Sequence, residues 1–343
     1  MTARLLVLAL LLSPLPAAAE LRLPAGFTAQ VYVTGEGFDT DASRGVRGIP
    51  ATSTIAFDQA GFLYLARSGR RYVGGEAYDL WPIYRIPAGG VRLSPDIEAR
   101  YLYGPPLLNP QVTASRRGRE IFVTTFDRER KVGALYRLVD GRAELFAGGT
   151  PERGVRPVLR QPEGAAVDSA GNVYVADRAE GVVVRLDQDG RVLDPRFLTV
   201  ARPRLLAVDD RDQLWVGSDG NAEVPFQQGP GEIMRITPHG LSGVVHRGPV
   251  AAALGMSPGN NLFVADRHEK QIFVLTQDGK RVEFASFTDG DLPRSLCFAP
   301  VTPETRRAGV AGDLFVVTIK AGTWPVNEVI RISGPFDDLA RER

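Results

Sequence analysis

Proton transfer near neutral pH falls most readily to histidine, and the chain has three. His239 lies in the turn Pro238-His239-Gly240, and His246 in an expected outer strand; His268 sits in a polar run, Asp266-Arg267-His268-Glu269, after an apolar strand. His268 is therefore the imidazole available as a general base, with a solvated loop side chain as its alternative reading. Glu163 opens a short apolar strand and is the second candidate catalytic group. Arg204, Arg294 and Lys320 are cations at strand ends, the chemistry that receives carboxylates. The strand-to-helix architecture of a serine nucleophile elbow is missing, which argues against a serine-hydrolase triad. The single cysteine, Cys297, lies in the apolar run Ser295–Ala299 and reads as a buried, inert thiol with no intrachain partner.

These groups need a scaffold, and its signature is repetition. Six second strands recur: Phe62–Leu65, Ile121–Thr124, Val173–Ala176, Leu214–Gly217, Leu262–Ala265 and Leu314–Val317. Each is followed by a third strand, and five of the six third strands read apolar-Arg-apolar: Tyr84-Arg85-Ile86, Tyr136-Arg137-Leu138, Val184-Arg185-Leu186, Met234-Arg235-Ile236 and Ile330-Arg331-Ile332. Phe273-Val274-Leu275 lacks the arginine. The period is roughly 48 residues, enough for four short strands with Gly- and Asn-rich turns. The expected architecture is all-β, a six-bladed β-propeller in a single domain over 20–343, with blades at 51–104, 105–158, 159–202, 203–249, 250–291 and 292–336. The last blade is expected to be completed by 27–34, so that an N-terminal strand closes the ring.

Composition limits the partners. The 41 Lys+Arg against 40 Asp+Glu leave a formal charge of +1, too little cation for a phosphate backbone, so nucleic acid is not an expected partner. Residues 1–19 have Arg4, the apolar stretch Leu5–Leu12 and the small-residue run Pro16-Ala17-Ala18-Ala19, the order of a cleaved secretory signal. That stretch is too short to span a bilayer. The expectation is an exported protein, periplasmic or extracellular, with no membrane span.

The segments Glu163–Asp168, Val175–Arg178 and Leu262–Arg267 resemble NHL-repeat propellers over nearly the whole mature chain. That likeness implies a central channel whose ligands meet the loops before each first strand and those joining second to third strands. The first set carries Asn109, Gln111, Glu163, Arg204 and Arg294; the second includes Asn221, Asp266, His268 and Lys320. Glu163-Gly164 is similar to the opening Glu-Gly of the senescence-marker-protein and gluconolactonase family, which implies a calcium-assisted lactonase or related hydrolase. Asn109, Glu163, Asn221 and Asp266 would then offer oxygens to the metal. The alternative is structural, a salt bridge from Glu163 to Arg204 or Arg294. Leu214–Asn221, Gly322-Thr323-Trp324 and Leu23–Phe27 look like the exported glucose and sorbosone dehydrogenases that use pyrroloquinoline quinone, with Arg204, Arg294 and Lys320 holding the cofactor. Where that family has its base histidine, this chain has Arg204-Leu205-Leu206, which leaves His268 as the substitute. A third reading is a non-catalytic NHL-like scaffold with an envelope protein as partner. The long loops Ser68–Pro82 and Ser218–Glu232, with Arg70, Tyr72, Trp81 and Phe226, are placed to roof the channel, the alternative being that Tyr72 and Trp81 pack on a blade.

Overall fold

The computed structural model describes residues 21–38, 48–67, 71–73, 76–78, 80–115, 119–127, 130–223, 227, 229–288, 291–320 and 326–339. The leader expected over 1–19 lies outside the described residues, as do Arg70, Phe226 and Gly322-Thr323-Trp324 of the sequence reading.

Six blade sheets, antiparallel apart from Val91–Leu93 added parallel to Thr28–Gly35 at the edge of the sixth, follow one another along the chain. The first contains Thr52–Phe57, Leu63–Arg67 and Ile83–Ile86; the second runs Gln111–Ala114, Ile121–Asp127, Val132–Val139, Arg142–Gly148. The third is Pro162–Val167, Val173–Asp177, Val182–Leu186, Val192–Thr199, and the fourth Pro203–Val208, Leu214–Ser218, Pro230–Ile236, Ser242–Pro249. Ala253–Met256, Leu262–Asp266, Gln271–Leu275 and Arg281–Phe287 make the fifth, with Leu21–Arg22 added at its outer edge. Asp291–Phe298, Leu314–Lys320 and Val326–Ser333 make the sixth. Thr28–Gly35 pairs antiparallel with Val326–Ser333 in that sheet, placing Ala29 opposite Ile332 and Val31 opposite Ile330. Each first strand packs against the next, and Asp291–Phe298 packs against Thr52–Phe57, so the six sheets form a ring.

Strand alternation explains why the blades look apolar on both faces. In Leu63–Arg67, Leu63 and Leu65 pack toward the sixth blade while Tyr64 and Ala66 pack toward the second. The same division holds elsewhere, so the core consists of six seams between neighbouring blades. Each fully buried Leu, Val or Phe in a seam contributes about 1.5–3 kcal/mol.

The repeated arginines are part of this framework. Each lies opposite an aromatic residue of the second strand: Arg85 opposite Tyr64, Arg137 opposite Phe122, Arg185 opposite Tyr174, Arg235 opposite Trp215 and Arg331 opposite Phe315. Arg85 stacks 3.6 Å from the Phe62 ring centre and Arg235 5.2 Å from that of Trp215. In the fifth blade, which lacks the arginine, Arg281 of the outer strand covers Phe273 at 4.3 Å instead. At the far end of the first strands, Asp58, Asp168 and Asp209 accept the backbone N–H groups of the following turn. Their second oxygens accept from Tyr64, Tyr174 and Trp215.

In the loop at 68–82, Trp81 departs from the expected roof. Arg71–Val73 pairs with Glu76–Tyr78 as a small ribbon, and Leu80–Trp81 pairs with Leu107–Leu108. Trp81 is buried, with the Arg67 guanidinium 4.8 Å from its ring centre, so it packs on the blade. Among the described residues no helix is long and apolar enough to cross a membrane.

Candidate functional site

The first strands surround a cavity of about 1540 Å³. Its polar residues are placed by a recurring local device. In the third, fourth and sixth blades the first strand carries a proline followed by a charged residue: Pro162-Glu163, Pro203-Arg204 and Pro293-Arg294. At each site the register with the second strand shifts, between Pro162 and Ala165, Pro203 and Leu205, and Pro293 and Ser295. A proline cannot donate to the ladder and tolerates a bulge, and a bulge re-aims the residue beside it. Here the re-aimed residues Glu163, Arg204 and Arg294 all border the cavity.

Glu163 is held by amides. Gln111 Nε2 donates to Oε2, and Gln161 Nε2 donates to Oε1 at 3.0 Å. Thr124 Oγ1 donates to the Glu163 carbonyl, tying the second blade to the third. Gly164 follows at a tight crossing, where an added Cβ would lie 2.5 Å from the Arg204 carbonyl oxygen. Asn109, in the left-handed region at φ 43°, lines the same cavity. Gln161 was not foreseen; its signal was its place before Pro162 at the mouth of the strand.

Arg204 has a different role from the one its sequence position suggested. Its Nε is 2.9 Å from both oxygens of Asp219, and its terminal nitrogens donate to the carbonyls of Ala251 and, at 3.3 Å, Ala252. Arg178 of the third blade approaches the same carboxylate at 3.4 Å and donates to the Ala222 carbonyl at 2.7 Å. Asp219 is buried between the two guanidiniums. The salt bridge anticipated from Glu163 to Arg204 or Arg294 is not formed; Arg204 is engaged by Asp219.

Arg294 and Arg267 also border the cavity, and among the described residues neither guanidinium has a hydrogen bond or ion pair. Burial lowers Arg294 to about 10, and the neighbouring charge of Arg267 adds to the effect. Arg267 is lowered by burial first and by Arg204 second. Both remain cations at neutral pH.

Several expected site residues are not brought to the cavity. Asn221 is exposed in the turn after Ser218 and is not among the cavity walls. Asp266 Oδ1 accepts from the backbone N–H groups of His268 at 2.9 Å and Glu269 at 3.1 Å, a local turn that explains the Asp-Arg-His-Glu run. His268 is partly buried and does not line the cavity. Lys320 ends its strand opposite Asp291. Cys297 is in the cavity wall, where burial pushes its thiol well above the usual range.

Glu163, Asn221 and Asp266 are thus not gathered as calcium ligands, and both carboxylate oxygens of Glu163 already accept from glutamine amides. Among the described residues no three of His, Cys, Asp and Glu converge on a metal position. This donor set does not fit calcium. For a quinone carboxylate, Arg294 retains its donors while Arg204 does not, and none of the described histidines faces the cavity as a base.

No protein-family model matches the sequence, and no curated protein matches it. Solved structures do. A gluconolactonase from Xanthomonas campestris aligns at 16% identity over 84% of this chain and 87% of that one, with a TM-score of 0.55. The quinone-bound aldose sugar dehydrogenase from Streptomyces coelicolor aligns at 14% identity over 91% and 99%, at 0.52. An auxiliary nutrient binding protein from Bacteroides thetaiotaomicron aligns at 12% identity over 90% of this chain and 76% of that one, at 0.57. The chain is a six-bladed β-propeller. At these identities the likeness extends to the fold, and the three structures carry a hydrolase, a dehydrogenase and a binding protein on it.

Proposed function

We propose that the central cavity of this propeller binds a small polar molecule and opens a lactone or related ester, with Glu163 as general base. The observation that carries this reading is the Glu163 carboxylate at the cavity wall, fixed by Gln111 and Gln161 on either side. Orientation by two neighbours is what a base needs to meet a water molecule in a productive pose. Glu163 takes a proton from water as its oxygen adds to the ring carbonyl. The proton passes to the ring oxygen as the C–O bond breaks, and the product is a hydroxy acid. Asn109 and the two glutamines supply amides for hydroxyl groups of the substrate. The likeness to a gluconolactonase agrees with this reading without selecting it over the others.

Export belongs to the same proposal. The leader pattern over 1–19 directs the chain out of the cytoplasm, and the mature protein begins at Glu20. Mass spectrometry of the secreted chain reads that terminus directly.

The test is acid release from a panel of sugar lactones, followed by pH-stat, for wild type and Glu163→Gln. The expected result is turnover that falls by about 10²-fold or more in the variant while its melting temperature is retained. Absence of turnover on every lactone, or undiminished turnover in the variant, overturns the hydrolytic reading.

A further inference from the structure

The blades hold two copies of one arginine arrangement, and only one copy contains an acid. In the first copy, Arg178 follows the Asp that ends the second strand of the third blade, and Arg204 follows Pro203 in the fourth; both bind Asp219. In the second copy, Arg267 follows the corresponding Asp266 of the fifth blade, and Arg294 follows Pro293 in the sixth. The registers match: Pro203 pairs with Ser218, the residue before Asp219, and Pro293 pairs with Thr318, the residue before Ile319. The position of Asp219 is therefore occupied by Ile319, an apolar side chain that lines the cavity. Arg267 Nε is buried without an acceptor, and Arg294 has none among the described residues. The nearby acids do not compensate. Glu163 is bonded to glutamines, Asp219 to the other arginines, Asp266 accepts from the backbone of its own turn through Oδ1, and neither Asp266, Asp291 nor the exposed Asp210 and Glu223 bonds either guanidinium.

We infer that Arg267 and Arg294 form a carboxylate-binding subsite, in which the acid group of a small ligand takes the place that Asp219 fills between Arg178 and Arg204. Paired guanidiniums recognise carboxylates through parallel N–H donors, and a cavity-facing pair without an acid of its own gains most from supplying that partner. The inference deepens the hydrolytic reading by giving the ligand class: a hydroxylated carboxylic acid or its acid-bearing precursor, with hydroxyls toward the amide side of the channel. It also stands if the site only binds.

Thermal melting with gluconate, glucose 6-phosphate and glucose tests it, on wild type, Arg294→Met, Arg267→Met and Ile319→Asp. Gluconate is expected to raise the melting temperature of wild type and glucose to leave it unchanged. Each methionine variant is expected to weaken gluconate binding by about tenfold or more. Without ligand, Arg294→Met should melt at or above wild type, because an unpaired buried cation is removed. Ile319→Asp restores the acid, so it should also keep or raise the ligand-free melting temperature while eliminating the response to gluconate. A larger shift with glucose 6-phosphate than with gluconate overturns the carboxylate assignment. An equal shift with glucose, no shift with gluconate, or a ligand-free Arg294→Met that melts well below wild type overturns the subsite. Failure of lactone turnover with a preserved gluconate response removes the hydrolysis and leaves this inference intact.

Discussion

Arg204 and Asp219 face each other with the guanidinium Nε 2.9 Å from both carboxylate oxygens, and Arg178 approaches the same carboxylate from the third blade. The contact fastens the third, fourth and fifth blades, because Arg178 comes from the third and Arg204 reaches the Ala251 and Ala252 carbonyls of the fifth. Removing one member of a buried ionic group leaves the rest uncompensated. Asp219→Asn is expected to cost about 3–5 kcal/mol, measured as a fall in the urea midpoint with an unchanged slope.

Gly164 should tolerate no side chain. A Cβ there would stand 2.5 Å from the Arg204 carbonyl oxygen, on the backbone of the adjoining blade. Gly164→Ala is expected to destabilise by about 1–3 kcal/mol and to displace Glu163, so that activity falls more than stability alone explains. Turnover at a temperature well below melting separates the two effects.

Stacked arginines should behave as framework. Arg85 lies 3.6 Å from the Phe62 ring centre and takes no part in the cavity wall. Arg85→Met is expected to lower stability by about 1 kcal/mol, within the range of a cation–π contact, and to leave the gluconate response unchanged. An altered ligand response would show that the outer face of the blade communicates with the channel.

His246 makes stability depend on pH. It lies on an outer strand beside Phe273, and burial, followed by the charge of Arg281, holds it below its ordinary value; Asp266 and Glu269 oppose that shift. A depressed histidine favours the folded state above the unfolded pKa near 6.5, and its contribution is lost as pH falls through the folded value. Urea midpoints should therefore drop on acidification below about pH 6.5. His246→Gln should flatten that drop, and an unchanged profile would assign the acid sensitivity to other groups.

The blades were legible because their signals are local. An aromatic or aliphatic strand, a turn and an apolar-Arg-apolar triplet lie within one repeat, and the arginine meets its aromatic partner on the adjacent strand. Channel positions were legible where they coincide with the mouth of a first strand, as for Asn109, Gln111, Glu163 and Arg294. Positions on the loops after second strands were harder to read. Asp266 turns back onto its own backbone, because a tight turn offers its carboxylate a nearby N–H before it offers a ligand, and Asn221 is exposed in its loop. The allegiance of Arg204 depended on Asp219, a partner that becomes adjacent only after the bulge at Pro203 sets the register. Arg267 reads in sequence as a twin of Arg178; their difference lies in Asp219, just past the second strand of the fourth blade, and Ile319, in that of the sixth.

The proline-initiated bulges also bear on how such a ring diversifies. Glu163 and Arg294 occupy intervals that the ladder skips, and neither fastens blades through an ion pair as Arg204 does, so the sheet draws little of its cohesion from the identity of their side chains. A single codon change at one of these sockets alters the chemistry presented to the channel while the surrounding strands keep their rungs. A lineage can therefore exchange acid, base and amide around the axis one blade at a time, and unrelated reactions can arise on a common wheel without the wheel being rebuilt.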